Sequence, residues 1–217
     1  MKTEKVSNVR AHTRYMLDGK RVPGVTTILG TLAKPALVPW ANRLGLEGID
    51  VTKYVDELAK IGTLGHYLIE CDIKGEMPDL DVYSKEQLDR AENCLLKFYA
   101  WERENEVDFF QSELQLVSRQ HRFGGTLDSI AAVNGKLSLV DFKTSKAIYP
   151  EMFFQLAAYR QLAKEAGYEI DNVRILRIGR TEEEGFEERL FDVKDLDPHW
   201  EIFYHALQIY NLKKRVS

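Results

Sequence analysis

Two long stretches of the chain carry apolar residues at helical spacing. Between residues 51 and 74 the apolar positions recur every three or four residues, and Gly75 follows as a helix stop. A second periodic stretch, over residues 85–102, follows Ser84, whose hydroxyl suits a helix N-cap. The pattern predicts two long amphipathic helices in succession.

The second half of the chain changes to strand-like patterns. Asn134-Gly135 lies between two runs rich in apolar residues, which is a strong signal for a two-residue hairpin turn. Pro150 is placed to begin a helix and Gly167 to end it. Strands are predicted over residues 107–117, 124–133, 136–144, 173–178 and 186–193, and helices over residues 150–166 and 198–213. This order predicts an α/β fold with a mixed central β-sheet flanked by helices.

The first fifty residues hold shorter elements. Asp18-Gly19 between short strand-like pieces predicts a tight hairpin. In residues 25–29 a threonine is a candidate helix cap, and residues 37–44 predict a short helix, separated from the first by two prolines. We therefore expect one domain over residues 1–217, with a hairpin and covering helices in residues 1–50 and the core in residues 51–217.

Composition and charge narrow the choice of function. The 217 residues carry a net charge of −4, so any contact with nucleic acid must be local. We see no signal-peptide core and no apolar run that could span a bilayer, and we expect a cytoplasmic protein. The two cysteines, Cys71 and Cys94, lack CxxC spacing and are expected to be buried free thiols.

One charged pair interrupts the apolar strand over residues 136–144. Asp141 and Lys143 are two residues apart, so both side chains point to the same face of the strand. Pairing across the Asn134-Gly135 turn in regular register places Asp128 opposite Asp141. Two adjacent carboxylates need a compensating cation, and oxygen ligands of this kind suit Mg²⁺ or Mn²⁺. Such an ion with a neighbouring lysine can hydrolyse phosphodiester bonds.

The helix that follows adds two polar residues. Gln155 and Tyr159 are four residues apart and share one helix face, from which they can reach back to the strand. Taken together, Gly125-Thr126-Leu127-Asp128, Asp141-Phe142-Lys143 and the Gln155/Tyr159 pair resemble the G-x-x-D, D-x-K and Q-x-x-x-Y motifs of RecB-like PD-(D/E)XK nucleases. Upstream, residues 23–29, Trp40 and the Gly62-x-x-x-His66 element are similar to phage exonucleases and the mitochondrial genome maintenance exonuclease.

The resemblance implies a restriction-endonuclease-like core and a role for each motif residue. Asp128, Asp141 and the carbonyl of Phe142 would bind the metal, and His66 would be an extra metal ligand. Lys143 would be catalytic, while Gln155 and Tyr159 would position the substrate and the Lys143 region. Glu113, on the first core strand, would support the ligands from behind. Relatives with a four-cysteine iron-sulfur cluster differ from this chain, which has two cysteines, so no iron-sulfur cluster is expected.

Each of these residues also has an ordinary structural interpretation. D-x-K alone is a short pattern that also occurs at salt-bridged strand ends. His66 could be a hydrogen-bonded histidine on a helix surface, and Glu113 a solvated strand residue. Gln155 and Tyr159 could pack a helix face against the core. Basic residues near the motifs could be surface charge or could build a strand-binding groove with aromatic stacking from Tyr149 or Phe153; these residues are Arg119, Arg122, Lys146, Arg160 and Arg177.

Three functions follow from the sequence. The first is a metal-dependent DNA exonuclease that digests single-stranded DNA from its ends, in phage-like replication, recombination or repair, in a bacterial or phage-infected cell. The second is a structure-specific endonuclease of the same fold. The third is a non-catalytic DNA-binding module on a decayed nuclease fold, which the complete set of Asp128, Asp141 and Lys143 disfavours.

Overall fold

A computed structural model describes residues 13–216 of the chain. A small hairpin comprises β1 (Tyr15–Leu17) and β2 (Lys20–Val22). The helices are α1 (Val25–Leu29), α2 (Leu37–Leu46), α3 (Val51–Lys74), α4 (Lys85–Glu104), α5 (Pro150–Glu165) and α6 (Asp197–Val216). The strands of the main sheet are β3 (Val107–Val117), β4 (Gly124–Val133), β5 (Lys136–Lys143), β6 (Asn172–Ile178) and β7 (Phe186–Asp192).

The five main strands form one sheet in chain order, from β3 at one edge to β7 at the other. β5 and β6 are parallel, while the other neighbouring strands are antiparallel. The parallel pair requires a crossover, which α5 provides. The predicted mixed central sheet flanked by helices is confirmed.

The β4–β5 hairpin sets the register of the sheet. Asn134 and Gly135 both have positive φ, 51° and 76°, as a two-residue turn of type I′ requires. Val133 then pairs with Lys136, and regular pairing continues for five residue pairs. The turn and this part of the register agree with the sequence prediction.

Apolar residues cover both faces of the sheet. On one face α1, α5 and α6 pack against β4, β5 and β6 around buried side chains such as Leu139 and Leu156. On the other face α3 and α4 pack through Ile69 and Phe98 against Val140 and Phe142. Because Leu139 and Val140 alternate between the two cores, Asp141 falls on the α5 face and Phe142 on the α3 face. The end of β5 therefore lies between α3 and α5.

Some predicted boundaries were wrong. α1 follows Gly24 and has no side-chain cap, so no threonine caps it. Pro39 does not separate two helices but lies in the first turn of α2, where its missing N–H costs no helical hydrogen bond. β5 ends one residue before Thr144. A 3₁₀ helix over Val193–Leu196 replaces the predicted end of the last strand and leads into α6.

Two expectations from composition can be compared with the described residues. Cys71 and Cys94 are free and buried, as predicted. None of the helices within residues 13–216 has the length and apolar character needed to cross a membrane.

Candidate active site

The β4–β5 hairpin opens at Asp128. Regular pairing ends with Ser129 and Val140, one step before Asp128 and Asp141 would face each other. The Asp128 carboxylate instead accepts a hydrogen bond of 2.9 Å from the backbone N–H of Phe142. The carboxylate thus lies between the two strands and satisfies a strand amide near the point where they separate.

The backbone around Asp128 is irregular on both sides. Leu127 and Ile130 pack into the same core, although residues three apart on a regular strand face opposite sides. On β3, the position opposite Asp128 belongs to Glu113, which has a φ of 53° and is skipped in the pairing of the two strands. Positive φ at a residue other than glycine is uncommon and concentrates at functional sites. The structure therefore places Glu113 next to the site, one strand behind it.

Asp141 is the most buried charged residue of the predicted set, at 1% exposed. Its Oδ2 forms an ion pair with the Lys143 ammonium, as two same-face positions on one strand allow. Neither carboxylate oxygen accepts a hydrogen bond of good geometry from residues 13–216. The lysine compensates the charge of Asp141 but leaves the hydrogen-bonding capacity of this carboxylate unused.

Burial and neighbouring charges shift the pKa of both members of this pair. Burial raises the pKa of Asp141 to about 6, against the lowering effect of Lys143. Burial by itself would lower the pKa of Lys143, but the Asp141 and Asp128 carboxylates outweigh it and hold that pKa above its ordinary value of 10.5. Lys143 is therefore an ammonium at neutral pH and acts as a hydrogen-bond donor.

His66 approaches the site from α3. Its Nδ1 lies 3.7 Å from Oδ2 of Asp128, and its ring packs against Phe142 in a T-shaped arrangement. This approach requires a small residue on α3, because a Cβ at Gly62 would lie 2.7 Å from Oγ1 of Thr144. Gly62 therefore lets the helix come close to the end of β5, which explains the Gly-x-x-x-His spacing in physical terms.

Tyr159 and Gln155 approach from the opposite face. The Gln155 amide donates a 2.7 Å hydrogen bond to the hydroxyl of the buried Tyr159. Burial, together with the Asp141 and Asp128 carboxylates, raises the pKa of Tyr159 well above its ordinary value. The Tyr159 ring lies over Gly125, where a Cβ would come within 2.7 Å of it. Glycine in the G-x-x-D motif thus makes room for tyrosine in the Q-x-x-x-Y motif.

The donor set can be tested for its fit to a divalent cation. Within residues 13–216, no three His, Cys, Asp or Glu side chains form a complete metal-binding group. The arrangement instead offers two adjacent carboxylates, of which Asp141 has both oxygens buried and, apart from the Lys143 ion pair, no donor of good geometry. A buried carboxylate with an incomplete set of partners is costly unless a cation completes the set. The residues therefore fit a hard cation with a backbone or histidine ligand besides the carboxylates.

A cleft of about 1780 Å³ opens beside these residues. Its walls come from α2, α3, the β5–α5 loop and the start of α5, and His66, Lys143 and Gln155 line it. Trp40 and Tyr54 also line it. Sequence reasoning assigned no substrate contact to these two rings, since their meeting depends on how α2 packs against α3.

Most of the basic and aromatic residues that the sequence suggested for a strand-binding groove do not line the cleft. Of the basic and aromatic residues considered for it, Lys146 and Tyr149 line the cleft. Arg160 and Arg177 instead form ion pairs with acidic residues at the start of α6 and on β7. Phe153 packs against aromatic rings of β7 and α6. Arg160, Arg177 and Phe153 are therefore near the motifs in sequence but have their contacts outside the cleft.

Comparison with known proteins identifies the family of this chain. The chain belongs to the PD-(D/E)XK nuclease superfamily, whose family model matches residues 42–207. A comparison with curated proteins found no match.

Solved structures also show similarity. A proposed exonuclease from Eubacterium rectale matches with a TM-score of 0.49 and 9% identity over 70% of this chain and 65% of that one. The chain thus spans less than two thirds of that protein. LHK-Exo in complex with dAMP matches with a TM-score of 0.37 and 11% identity, over 74% of this chain and 90% of that one.

Proposed function

We propose that this nuclease is a divalent-metal-dependent DNA exonuclease that hydrolyses phosphodiester bonds at the ends of single-stranded DNA. The observation that carries the proposal is the buried carboxylate of Asp141, which accepts no hydrogen bond of good geometry, lies near Asp128 and forms an ion pair with Lys143. A buried anion of this kind has a clear purpose in a nuclease, because it can hold a cation against a substrate phosphate.

The proposed metal ligands are Asp128, Asp141, the carbonyl of Phe142 and His66. The N–H of Phe142 points to Asp128, and the carbonyl of a strand residue points to the same edge as its N–H. We propose Mg²⁺ or Mn²⁺, which such oxygen-rich sets suit. When bound, the ion would polarise a phosphoryl oxygen and lower the pKa of an attacking water.

The other residues of the proposed site have separate roles. Lys143, charged at neutral pH, donates hydrogen bonds that orient the attacking water and balance negative charge on the phosphate. The Gln155–Tyr159 hydrogen bond holds both side chains beside the carboxylates, where Gln155 can contact the substrate from the cleft wall. Glu113 carries a strained backbone behind Asp128 and supports its position.

The preference for single-stranded ends rests on the cleft. α2 and α3 form its walls in front of the site, and we infer that they cover a strand that enters from a free end. This covering layer agrees with the resemblance to the RecB-like branch, including phage exonucleases and the mitochondrial genome maintenance exonuclease. We place the enzyme in phage-like DNA replication, recombination or repair, in the cytoplasm of a bacterial or phage-infected cell.

The catalytic role of Lys143 can be tested apart from binding. Lys143→Ala should bind end-labelled single-stranded DNA with nearly wild-type affinity and a similar salt dependence, because the ammonium contacts Asp141 and lies in the site. Loss of one positioned proton-handling group should lower the single-turnover rate by about 10²- to 10⁴-fold. A variant that binds much more weakly but cleaves normally at saturating enzyme would show that Lys143 holds substrate and is not catalytic.

The end requirement needs a second experiment. Linear and covalently closed circular single strands of the same sequence should be compared with Mg²⁺ or Mn²⁺ present. We expect the linear strand to be degraded and the circle to remain. Equal cleavage of both would identify an endonuclease, and metal-independent binding without any cleavage would identify a non-catalytic DNA-binding module.

A further inference from the structure

The wall of the cleft built by α2 and the start of α3 leaves apolar side chains exposed. None of the α2 residues is buried. Leu37, Tyr54 and Val55 line the cleft and remain between 41% and 51% exposed. A contiguous exposed apolar surface at the mouth of a site marks a binding surface.

One face of α3 connects this wall to the candidate active site. Tyr54, Leu58, Gly62 and His66 all line the cleft and follow one another at four-residue spacing, so they share one helix face. Twelve residues of helix correspond to about 18 Å. A ligand in the cleft can therefore contact Tyr54 at one end and the candidate catalytic residues at the other.

Two aromatic rings meet at the end far from the catalytic residues. The ring centroids of Trp40 and Tyr54 lie 6.4 Å apart with a tilt of 49°, and both rings line the cleft. Arg43, three residues after Trp40, shares its helix face and also lines the cleft. The cleft thus presents aromatic surface beside a cation.

The charged side chains that line the cleft mostly compensate one another and leave it open to an anionic ligand. Lys34 pairs with Glu151 and Arg180 with Glu184, so these four charges compensate one another. Outside these pairs and the Lys143 ion pair, the lining has two cations, Arg43 and Lys146, and one carboxylate, Glu183. The lining therefore carries one more positive than negative charge in a chain whose net charge is −4.

We propose that Trp40 and Tyr54 stack against unpaired bases of the DNA strand, while Arg43 contacts its backbone, and that this contact selects single strands over duplex. The proposal rests on the proposed function and names the specificity residues of that site. Aromatic side chains stack on any unpaired base at about 1–3 kcal/mol per base. In a duplex the base faces are covered by their neighbours, so the same rings gain contact only at an end.

The test compares strands with and without bases. Affinities of the wild type, Trp40→Ala and Tyr54→Ala are measured by fluorescence anisotropy, in EDTA to prevent cleavage. The ligands are a labelled oligothymidylate, an oligonucleotide of the same length made of abasic sites, and a blunt duplex. Stacking predicts that each variant binds the oligothymidylate about 5- to 150-fold more weakly. Affinity for the abasic strand should change less than about twofold, because no base is present to stack.

Three further variants separate stacking from folding and from charge. Trp40→Phe keeps a ring and should restore most of the affinity. Leu46→Ala is the matched control, since Leu46 is on the same helix, 82% exposed and outside the cleft lining. Arg43→Ala should weaken binding to the normal and the abasic strand alike and reduce the salt dependence, as loss of a phosphate contact does.

The outcomes distinguish this proposal from the proposed function. A wild-type protein that neither binds nor cleaves any DNA would contradict the proposed function itself. Wild-type binding to single strands that Trp40→Ala and Tyr54→Ala leave unchanged, or weaken equally for the abasic strand, would overturn the stacking proposal alone. The same holds if these variants change only self-association, measured by analytical ultracentrifugation, since the wall would then contact a second copy of the chain.

Discussion

Replacing Asp141 by asparagine should change the way stability depends on pH. The pKa of this carboxyl rises from its ordinary value of 3.8 to about 6 on folding, chiefly because the group is buried. At about 1.4 kcal/mol per tenfold change in proton affinity, ionising Asp141 in the metal-free fold costs about 3 kcal/mol. An asparagine side chain would occupy a similar volume without ever ionising, so the Asp141→Asn variant isolates this cost.

Whether Asp141 makes the protein more or less stable as the pH rises depends on how tightly the folded and the unfolded states bind its proton. The folded state binds the Asp141 proton more tightly than the unfolded state, so burial costs nothing extra below pH 3.8, where both are protonated. Stability is lost as the pH rises through 3.8 to about 6, and the loss is complete above that range. Lys143 stays charged throughout, and its attraction to ionised Asp141 is already contained in the pKa of about 6.

The assay is urea unfolding of both proteins in EDTA. The free energy of unfolding of the wild type minus that of Asp141→Asn should fall by about 2 kcal/mol between about pH 4.5 and about pH 7.5. Ionisable groups that do not interact with Asp141 cancel in this difference, whereas Asp128 and His66 are part of the environment that sets its pKa. Asp108→Asn, which changes an exposed carboxylate on β3, is the control for replacing a carboxylate that folding leaves in contact with water. A difference for Asp141→Asn that does not vary with pH would refute the assignment of a costly buried charge.

A divalent ion should offset the loss of stability that ionised Asp141 causes at neutral pH. Mn²⁺ should raise the unfolding free energy of the wild type in proportion to its affinity for the folded state, because a ligand that binds only that state stabilises it. Asp141→Asn should gain much less and should lose cleavage. Equal stabilisation of the two proteins by Mn²⁺ would place the ion elsewhere.

Three further predictions concern single residues. If His66 is a ligand, His66→Ala should lower the ratio of Mn²⁺- to Mg²⁺-supported cleavage, because imidazole suits later transition metals better than Mg²⁺; an unchanged ratio would exclude ligation. Gly125→Ala should cost about 1–3 kcal/mol of stability by overpacking against Tyr159 and should reduce cleavage, whereas Gly45→Ala meets no atom within 4 Å and should be tolerated in urea unfolding. Cys94 should resist iodoacetamide at mildly alkaline pH in the folded protein, since burial raises the pKa of its thiol to about 11; rapid alkylation, followed by mass spectrometry, would contradict this.

The features that sequence predicted well are determined by nearby residues. Asn134-Gly135 fixes its turn because both positions accept positive φ, and the strands on either side follow from the turn. Asp141 and Lys143 share a face because side chains on a strand alternate. In each case a few consecutive residues contain the physical cause.

The features that sequence missed depend on packing between distant segments. Trp40 and Tyr54 belong to different helices, and no periodicity shows that their rings meet over the cleft. The positive φ of Glu113 has no signal in its residue type, because glutamate does not favour that conformation. Pro39 was expected to separate helices, yet proline is tolerated in a first turn, so its meaning depended on where the helix began.

The treatment of buried charge distinguishes the candidate site from the rest of the sheet. Arg174, Arg177 and Arg180 are also buried, but each guanidinium meets a glutamate and forms hydrogen bonds with it. These pairs compensate their charges within the protein, as a structural role requires. Asp141 has an ion pair and no hydrogen bond of good geometry. A carboxylate buried only for a structural purpose would be expected to accept hydrogen bonds from the protein. Because Asp141 lacks such bonds, we expect a ligand from outside the chain to bind its oxygens.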